Sequence, residues 1–399
     1  MNVLMLVVDS LRRDFAYSNR TETPTLDKLR DSAVTFDQAI SGASWTPPSM
    51  SSIFSGIYPH QLGMYNFDAS YPDGVNPIFS RLDDFGYEVG SFVFDEENLF
   101  CQVPSANVID NFRDYEQPKQ WIRDHSDDDF FLFVHHYWVH GPYEPKDSAE
   151  AWSQGNEEIL QRLRENHEES VEWCKNKYSK AVERMSEEWL AGLLEVLEEC
   201  EIDDDTIIIF TGDHGEGWGE RYDDPEVMKT NFHLHGKLLY DEHIRVPLVV
   251  DDPSSEVEGT TVDEQVRHID IVPTLEDLLD LDIEADFEFD GKSFSSALRG
   301  KSIESRTAIS SATGVNLQEV ETITVRESDY KLHWTPSEDS PELYNLNVDP
   351  GENNNIFDEY PDVGEVLLEK AQRAYQSTPK DAKNVGEDAK ERLRDLGYL

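Results

Sequence analysis

Residues 206–216 read TIIIFTGDHGE, an apolar, β-branched run that stops at a glycine-flanked Asp–His pair. A run apolar at every position, instead of at alternate ones, suits a strand covered on both faces, as in a parallel sheet. Three other runs share the pattern. Val3 to Val8 ends in Asp9-Ser10, Phe130 to Val134 (FFLFV) leads into HHYWVHGP, and the last is Val246 to Val250 (VPLVV). Helical stretches separate them. The clearest spans Glu157 to Cys200, where Trp189, Leu190, Leu193, Leu194 and Leu197 recur at three-to-four spacing. This alternation predicts an α/β doubly wound fold, with a largely parallel central sheet flanked by helices. Asp9, His140 and the pair Asp213-His214 each fall at or just beyond the C-terminal end of a predicted strand, the edge where open α/β sheets bind ligands.

Past residue 310 the pattern changes. RESDYKLHW (326–334) and PELYNLNVDPGENNNIF (341–357) predict short strands and a Pro/Asn/Gly-rich turn, followed by a charged helix. The expected organisation is an α/β catalytic domain over 1–310 and a small C-terminal α+β subdomain over 311–399.

The charge excludes some partners. Asp and Glu total 83 against 34 Lys and Arg, a formal net charge of -49, which repels nucleic acid and anionic lipid. The acids are spread along the whole chain, as expected of a protein made for a halophile's salt, where self-repulsion is screened within a few ångströms. The apolar run at the N-terminus is far shorter than the roughly 20 residues of a transmembrane helix. No basic segment precedes it, so it reads as a buried strand rather than a signal peptide, and a cytoplasmic protein is expected. Cys101, Cys174 and Cys200 are far apart and form no CxxC pair, so three reduced thiols are expected. Nothing in the sequence fixes an oligomeric state.

The chemistry concentrates in two places. Asp9 and Asp213-His214 can hold a divalent cation; carboxylates with imidazole suit zinc or manganese, whereas carboxylates alone lean to calcium or magnesium. In TPPSMSSIFSG (46–56), Thr46 reads as an N-cap, Pro47 as the first helical residue and Gly56 as the stop. A threonine hydroxyl at a helix N-terminus faces a place that favours anions, and a cation beside it would make it a nucleophile.

These segments, taken in order, resemble the sulfatase family of the alkaline-phosphatase-like superfamily. NVLMLVVDSLRRD (2–14) is similar to the family's opening strand with its metal-binding Asp, and TPTLDKLRDSAVTF (23–36) to its TPNLD-x-L segment. TPPSMSSIFSGIYPHQLG (46–63) lies on the C-x-P-S-R…TGxYPHxxG block. TGDHGEGWGE (211–220) resembles the second metal motif, HGKLLYDEHIRVPLVV (235–250) the K…LYE…RVP motif, and YKL…ELYNLNVDPGENNN (330–355) the C-terminal signature. The resemblance implies hydrolysis of sulfate or phosphate esters of small molecules or glycans. It also implies a metal site of Asp9, Asp213 and His214 with Thr46 beside it, for which zinc, manganese or calcium is expected; His233, two residues before His235, is a candidate to join it on a second metal.

The departures are as informative as the matches. Sulfatases proper use a formylglycine made from Cys or Ser, with an Arg four residues on; here Thr46 and Met50 stand there. Threonine is not a precursor of formylglycine, so the aldehyde mechanism is closed. A threonine nucleophile resembles the nucleotide pyrophosphatase/phosphodiesterases and the phosphoethanolamine transferases of the same superfamily. Ser10 replaces a second metal-binding Asp, and Glu88 to Val93 replaces a Gly-Lys-x-His cluster. His140 in VHGPY sits at the family's substrate-side His. His235 and Lys237 are placed to bind the transferred group or protonate the leaving group. Arg245 is expected in a structural ion pair. The expected function is therefore a metal-dependent hydrolase with Thr46 as nucleophile, phosphate mono- or diesters being preferred on chemical grounds. A phosphoethanolamine- or phosphoglycerol-type transferase and an anion-binding member without turnover are the alternatives.

Overall fold

In the computed structural model, which describes residues 1–65, 70–93, 107–108, 115–146, 149–221, 234–281, 288–313, 320–327, 329–337 and 341–379, β1 (Asn2–Val8) has no exposed residue in its apolar run. Leu4, Leu6 and Val8 point into one apolar layer, while Val3, Met5 and Val7 point into the other. A strand clothed on both faces has no polar side to show, hence the missing alternation in its sequence.

The remaining strands of this nine-stranded sheet are β2 (Val34–Ile40), β3 (Glu88–Val93), β4 (Asn107–Val108), β5 (Phe130–His136), β6 (Thr206–Gly212), β7 (Arg245–Asp251), β8 (Thr260–Val262) and β9 (Val266–Arg267). Their order is β4-β3-β5-β1-β6-β7-β2-β8, with β9 also on β2. β1 pairs in parallel with β5 and β6 in unbroken register, Val8 lying beside His136 and Gly212. The residues following these three strands therefore emerge together on one edge.

The fold is the expected α/β one, with two local corrections. β7, expected among parallel strands, runs antiparallel to both β6 and β2. It too is covered on both faces, so its composition cannot report direction. The stretch from Glu157 to Cys200 is not one helix. Helices Ala149–Glu165 and His167–Arg184 meet around Asn166, and a π-helical segment, Met185–Leu190, leads into Ala191–Glu199. Trp189, Leu190, Leu193 and Leu197 pack in the core as their spacing implied.

A second, antiparallel sheet begins at Ala308, in the order β10 (Ala308–Thr313), β11 (Val320–Glu327), β12 (Tyr330–Trp334) and β13 (Glu342–Asn345). Helix Pro361–Ser377 lays Leu367, Ala371 and Ala374 against Val325, Leu332 and Leu343. A buried ion network joins this sheet to the helix preceding β7. Lys331 Nζ lies 2.8 Å from Asp241 Oδ1 and 3.0 Å from Glu352 Oε1, and His333 Nε2 lies 2.8 Å from Glu352 Oε2. Each buried charge thus has a partner, as burial requires. Arg245 also makes the expected ion pair, 2.6 Å from Asp37. No helix among the described residues is long and apolar enough to cross a membrane.

Helix α1 (Thr46–Ser55), which matters most for the site, is seated by Phe54. Its ring lies edge-on to Phe79 and Phe133 at centroid distances of 4.8 and 5.0 Å. Phe54→Ala is expected to cost about 3–5 kcal/mol of stability. The shift of the urea unfolding midpoint at fixed salt measures it.

Candidate active site

Four side chains converge where β1 and β6 end and α1 begins. Asp9 follows β1, Asp213 and His214 follow β6, and Thr46 opens α1; all four are buried. Thr46 Oγ1 lies 3.3 Å from Asp9 Oδ2 and 3.2 Å from His214 Nε2. His214 Nε2 lies 3.7 Å from Asp9 Oδ1 and 3.5 Å from Asp213 Oδ2. One correction applies to α1: Thr46 is its first residue, and the extended Trp45 holds the cap position. The threonine hydroxyl is therefore not spent on capping and is directed to the acids. Gly56, left-handed at φ 72°, ends the helix as expected.

The backbone locks this arrangement. The Ser49 hydroxyl donates to the Asp213 carbonyl at 2.5 Å, and Ser41 Oγ lies 2.7 Å from the same oxygen. Ser10 is left-handed at φ 60°, a conformation rare outside glycine. Its amide donates to Asp213 Oδ1 at 2.9 Å and its hydroxyl to Asp9 Oδ1 at 2.8 Å, so one strained residue orients both carboxylates. Under the His214 loop, a Cβ at Gly215 would stand 1.9 Å from the Glu242 carbonyl oxygen, and one at Gly217 would stand 2.4 Å from His243 Nε2.

The electrostatics ask for a cation. Burial, then the neighbouring Asp213, pushes the Asp9 carboxyl up to about 6. Burial pushes Asp213 up to about 7 despite two backbone amides on its Oδ1. Asp213 Oδ2 is buried and accepts no hydrogen bond. Burial holds His214 down to about 3, so it is neutral. Its Nδ1 lies 2.7 Å from the Gly215 carbonyl, which can only accept, so Nε2 keeps its lone pair. Two carboxylates and a neutral imidazole, with donor atoms within 4.8 Å of one another, fit a divalent cation. Asp9, Asp213 and His214 would hold it, with Thr46 Oγ1 alongside.

Around this centre the imidazoles cluster. The His235 ring is 4.7 Å from that of His214 and 4.9 Å from that of His140. The His140 ring stacks on Trp152 at 5.0 Å, and its Nδ1 lies 2.8 Å from the Gly141 carbonyl. The Gly236 amide donates to the Ser44 carbonyl at 2.8 Å, pinning the His235 loop beside α1. Lys237 is half-buried; burial lowers its pKa, with Glu321 of β11 opposing. Met50 lies wholly in the apolar layer and brings no charge. His233 and Cys101 lie outside the described residues, while Cys174 and Cys200 are free thiols.

Two groups were not singled out from sequence. His135, the penultimate residue of β5, is wholly buried with Nε2 3.9 Å from Asp213 Oδ2. Glu216, also wholly buried, has Oε1 2.9 Å from His235 Nδ1. Glu216 sits inside the GDHGE run, so its place in a motif was visible; its contact, made across 19 residues, was not.

Comparison with known proteins settles the lineage. The sulfatase family model matches residues 1–281, and a model described as N-sulphoglucosamine sulphohydrolase, C-terminal, matches residues 232–377. The chain belongs to the sulfatase family. This sulfatase-family chain is 24% identical over 347 residues to an N-acetylgalactosamine-6-O-sulfatase of Bacteroides thetaiotaomicron, covering 78% of this chain and 60% of that one. It is 27% identical over 222 residues to a low-salt glycan biosynthesis sulfotransferase of Haloferax volcanii, covering 55% and 47% of the two. The chain thus spans between 47% and 60% of the length of these two curated relatives. Among solved structures, the phosphonate monoester hydrolase of Agrobacterium radiobacter superposes with a TM-score of 0.72 at 17% identity, over 96% of each chain.

The raised carboxyls set a direction for pH. Their ionisation costs stability in the metal-free protein, so that part of the stability is present at low pH and lost as pH rises through 6 and 7. A cation that binds the ionised forms reverses the loss. Its affinity is expected to fall by about tenfold or more per pH unit below 6, where each proton must be displaced. Asp213→Asn should raise the melting temperature of chelator-treated protein at pH 8, yet abolish the further rise on adding zinc or manganese. Calorimetry at pH 5.5 and 8 reads both effects.

Proposed function

We propose that this sulfatase-family protein is a metal-dependent hydrolase of sulfate or phosphate esters in which Thr46 is the nucleophile. The observation carrying this reading is the Thr46 hydroxyl, buried and within 3.3 Å of both Asp9 and His214 instead of capping its helix. A bound divalent cation supplies Lewis acidity, easing ionisation of the hydroxyl and offsetting charge on the ester oxygens. Thr46 Oγ1 gives its proton to the imidazole of His235 or His140 and bonds to sulfur or phosphorus in line, while the bond to the departing oxygen breaks. His235 or His140 hands that oxygen a proton. Water then opens the Thr46 ester, releasing the anion and restoring the hydroxyl. Lys237 is assigned to oxygens of the transferred group.

Threonine favours phosphorus over sulfur. A threonine sulfate has no aldehyde hydrate to expel it by elimination, whereas a phosphothreonine can be opened by water at phosphorus. Phosphate mono- and diesters are therefore the preferred substrates, with zinc or manganese suited to the mixed carboxylate–imidazole set. The evenly acidic surface supports a high-salt, cytoplasmic setting.

The similarity to a Haloferax glycan sulfotransferase supports a second reading, in which a glycan hydroxyl takes the place of water in the second step. Chromogenic sulfate, phosphate monoester and phosphate diester substrates, assayed in high salt with zinc, manganese or calcium, separate these readings. Diester turnover that falls by about 10³-fold or more in Thr46→Ala is expected. Sulfate ester turnover that survives the substitution would remove Thr46 from the mechanism. Products diverted to an added glycan, with no free anion, would favour transfer.

A further inference from the structure

The turn that follows β1 carries Asp9 and, through Ser10, the orientation of Asp213; one hydroxyl from a distant helix grips it. Tyr178 stands on the helix His167–Arg184 and is wholly buried. Its Oη accepts the Arg12 amide at 2.7 Å and donates to the Ser10 carbonyl at 2.5 Å. An amide can only donate and a carbonyl can only accept, so the hydroxyl proton has one direction, toward Ser10. The ring is seated independently of its oxygen. Phe15, Trp218 and Tyr143 stand edge-on to it at centroid distances of 4.8, 5.2 and 5.5 Å. On its other side the turn presses on β6, where a Cβ at Gly212 would stand 2.6 Å from the Leu11 carbonyl oxygen.

The consequence falls on Ser10. Its amide is spent on Asp213 Oδ1 and its hydroxyl on Asp9 Oδ1. The carbonyl is the polar group that remains, and Tyr178 takes it. A left-handed serine persists only where its surroundings over-determine it, and here every polar atom of the residue is engaged. We propose that Tyr178 is a positioning residue for the cation. By joining the Ser10 carbonyl to the Arg12 amide it keeps Ser10 left-handed, so that the serine's amide and hydroxyl hold both carboxylates in the geometry a cation needs. This rests on the reading of Asp9, Asp213 and His214 as the cation's ligands; Tyr178 touches neither the cation nor the ester.

Tyr178→Phe removes the oxygen and leaves the ring among its aromatic neighbours. In the full-length protein at pH 8 and high salt, with zinc as the probe, titration calorimetry should show the Kd raised by about tenfold or more. The rise in melting temperature on adding zinc should shrink accordingly. Tyr17→Phe is the control, because its hydroxyl accepts the Leu248 amide of β7 at 2.8 Å instead of serving the turn. It is expected to lower the melting temperature with and without zinc alike, leaving the Kd within about twofold of the wild type. The same pattern in Tyr178→Phe would show a hydroxyl that merely supports the fold, and would overturn the proposal. A wild type that binds neither zinc nor manganese would overturn the cation reading and this inference with it. Should Tyr178→Phe fold poorly, the wild type decides. After selective tyrosine labelling, the Tyr178 hydroxyl proton should exchange slowly in nuclear magnetic resonance spectra, and its resonance should shift when zinc is added. A hydroxyl in fast exchange, or a resonance unmoved by zinc that binds, would overturn the proposal.

Discussion

Two carboxylates lie where water does not reach, side by side at the ends of adjacent strands, and much of the site answers to that constraint. Asp9 and Asp213 are placed by the parallel register of β1 and β6, which brings Val8 beside Gly212 and leaves the next residues to face each other. Burial alone raises both acids, and proximity raises Asp9 further. Such a pair is a cost in an empty protein and a resource in a metal-loaded one. Ser10 in its left-handed turn, the serines gripping the Asp213 carbonyl and the neutral His214 all hold this unfavourable pair in the geometry a cation needs.

The same constraint bears on where Thr46 stands. A helix start offers free amides and a favourable dipole to an incoming anion, and an ordinary cap would consume its hydroxyl in satisfying them. Here Trp45 takes the extended cap position, and Thr46 turns its oxygen to the acids instead. Phe54, about two turns along, anchors the far end of the helix against Phe79 and Phe133. Sequence chemistry, local geometry and packing thus meet in one short element.

Much of this was legible beforehand, for physical reasons that can be named. Strands clothed on both faces announce themselves as uninterrupted apolar runs, so β1, β5 and β6 and the residues just beyond them could be read directly. Direction could not be read: β7 has the same two-faced burial but runs the other way. The break around Asn166 was hidden because both helices there are rich in charge and carry no proline or glycine at the join. Contacts between distant segments were out of reach for a different reason. His135 beside Asp213, and Glu216 beside His235, depend on how loops fold over the sheet edge, and periodicity carries no trace of that.

The glycines under the His214 loop bear on how such a site can change over evolutionary time. With the Glu242 carbonyl 1.9 Å from where a side chain at Gly215 would begin, and His243 Nε2 2.4 Å from its counterpart at Gly217, the floor admits no substitution without moving the helix Asp241–Ile244 behind it. Novelty must therefore enter elsewhere. Position 46 and the imidazole rim can exchange side chains while the backbone beneath them stays still. A fold built this way varies by swapping side chains above a fixed bench.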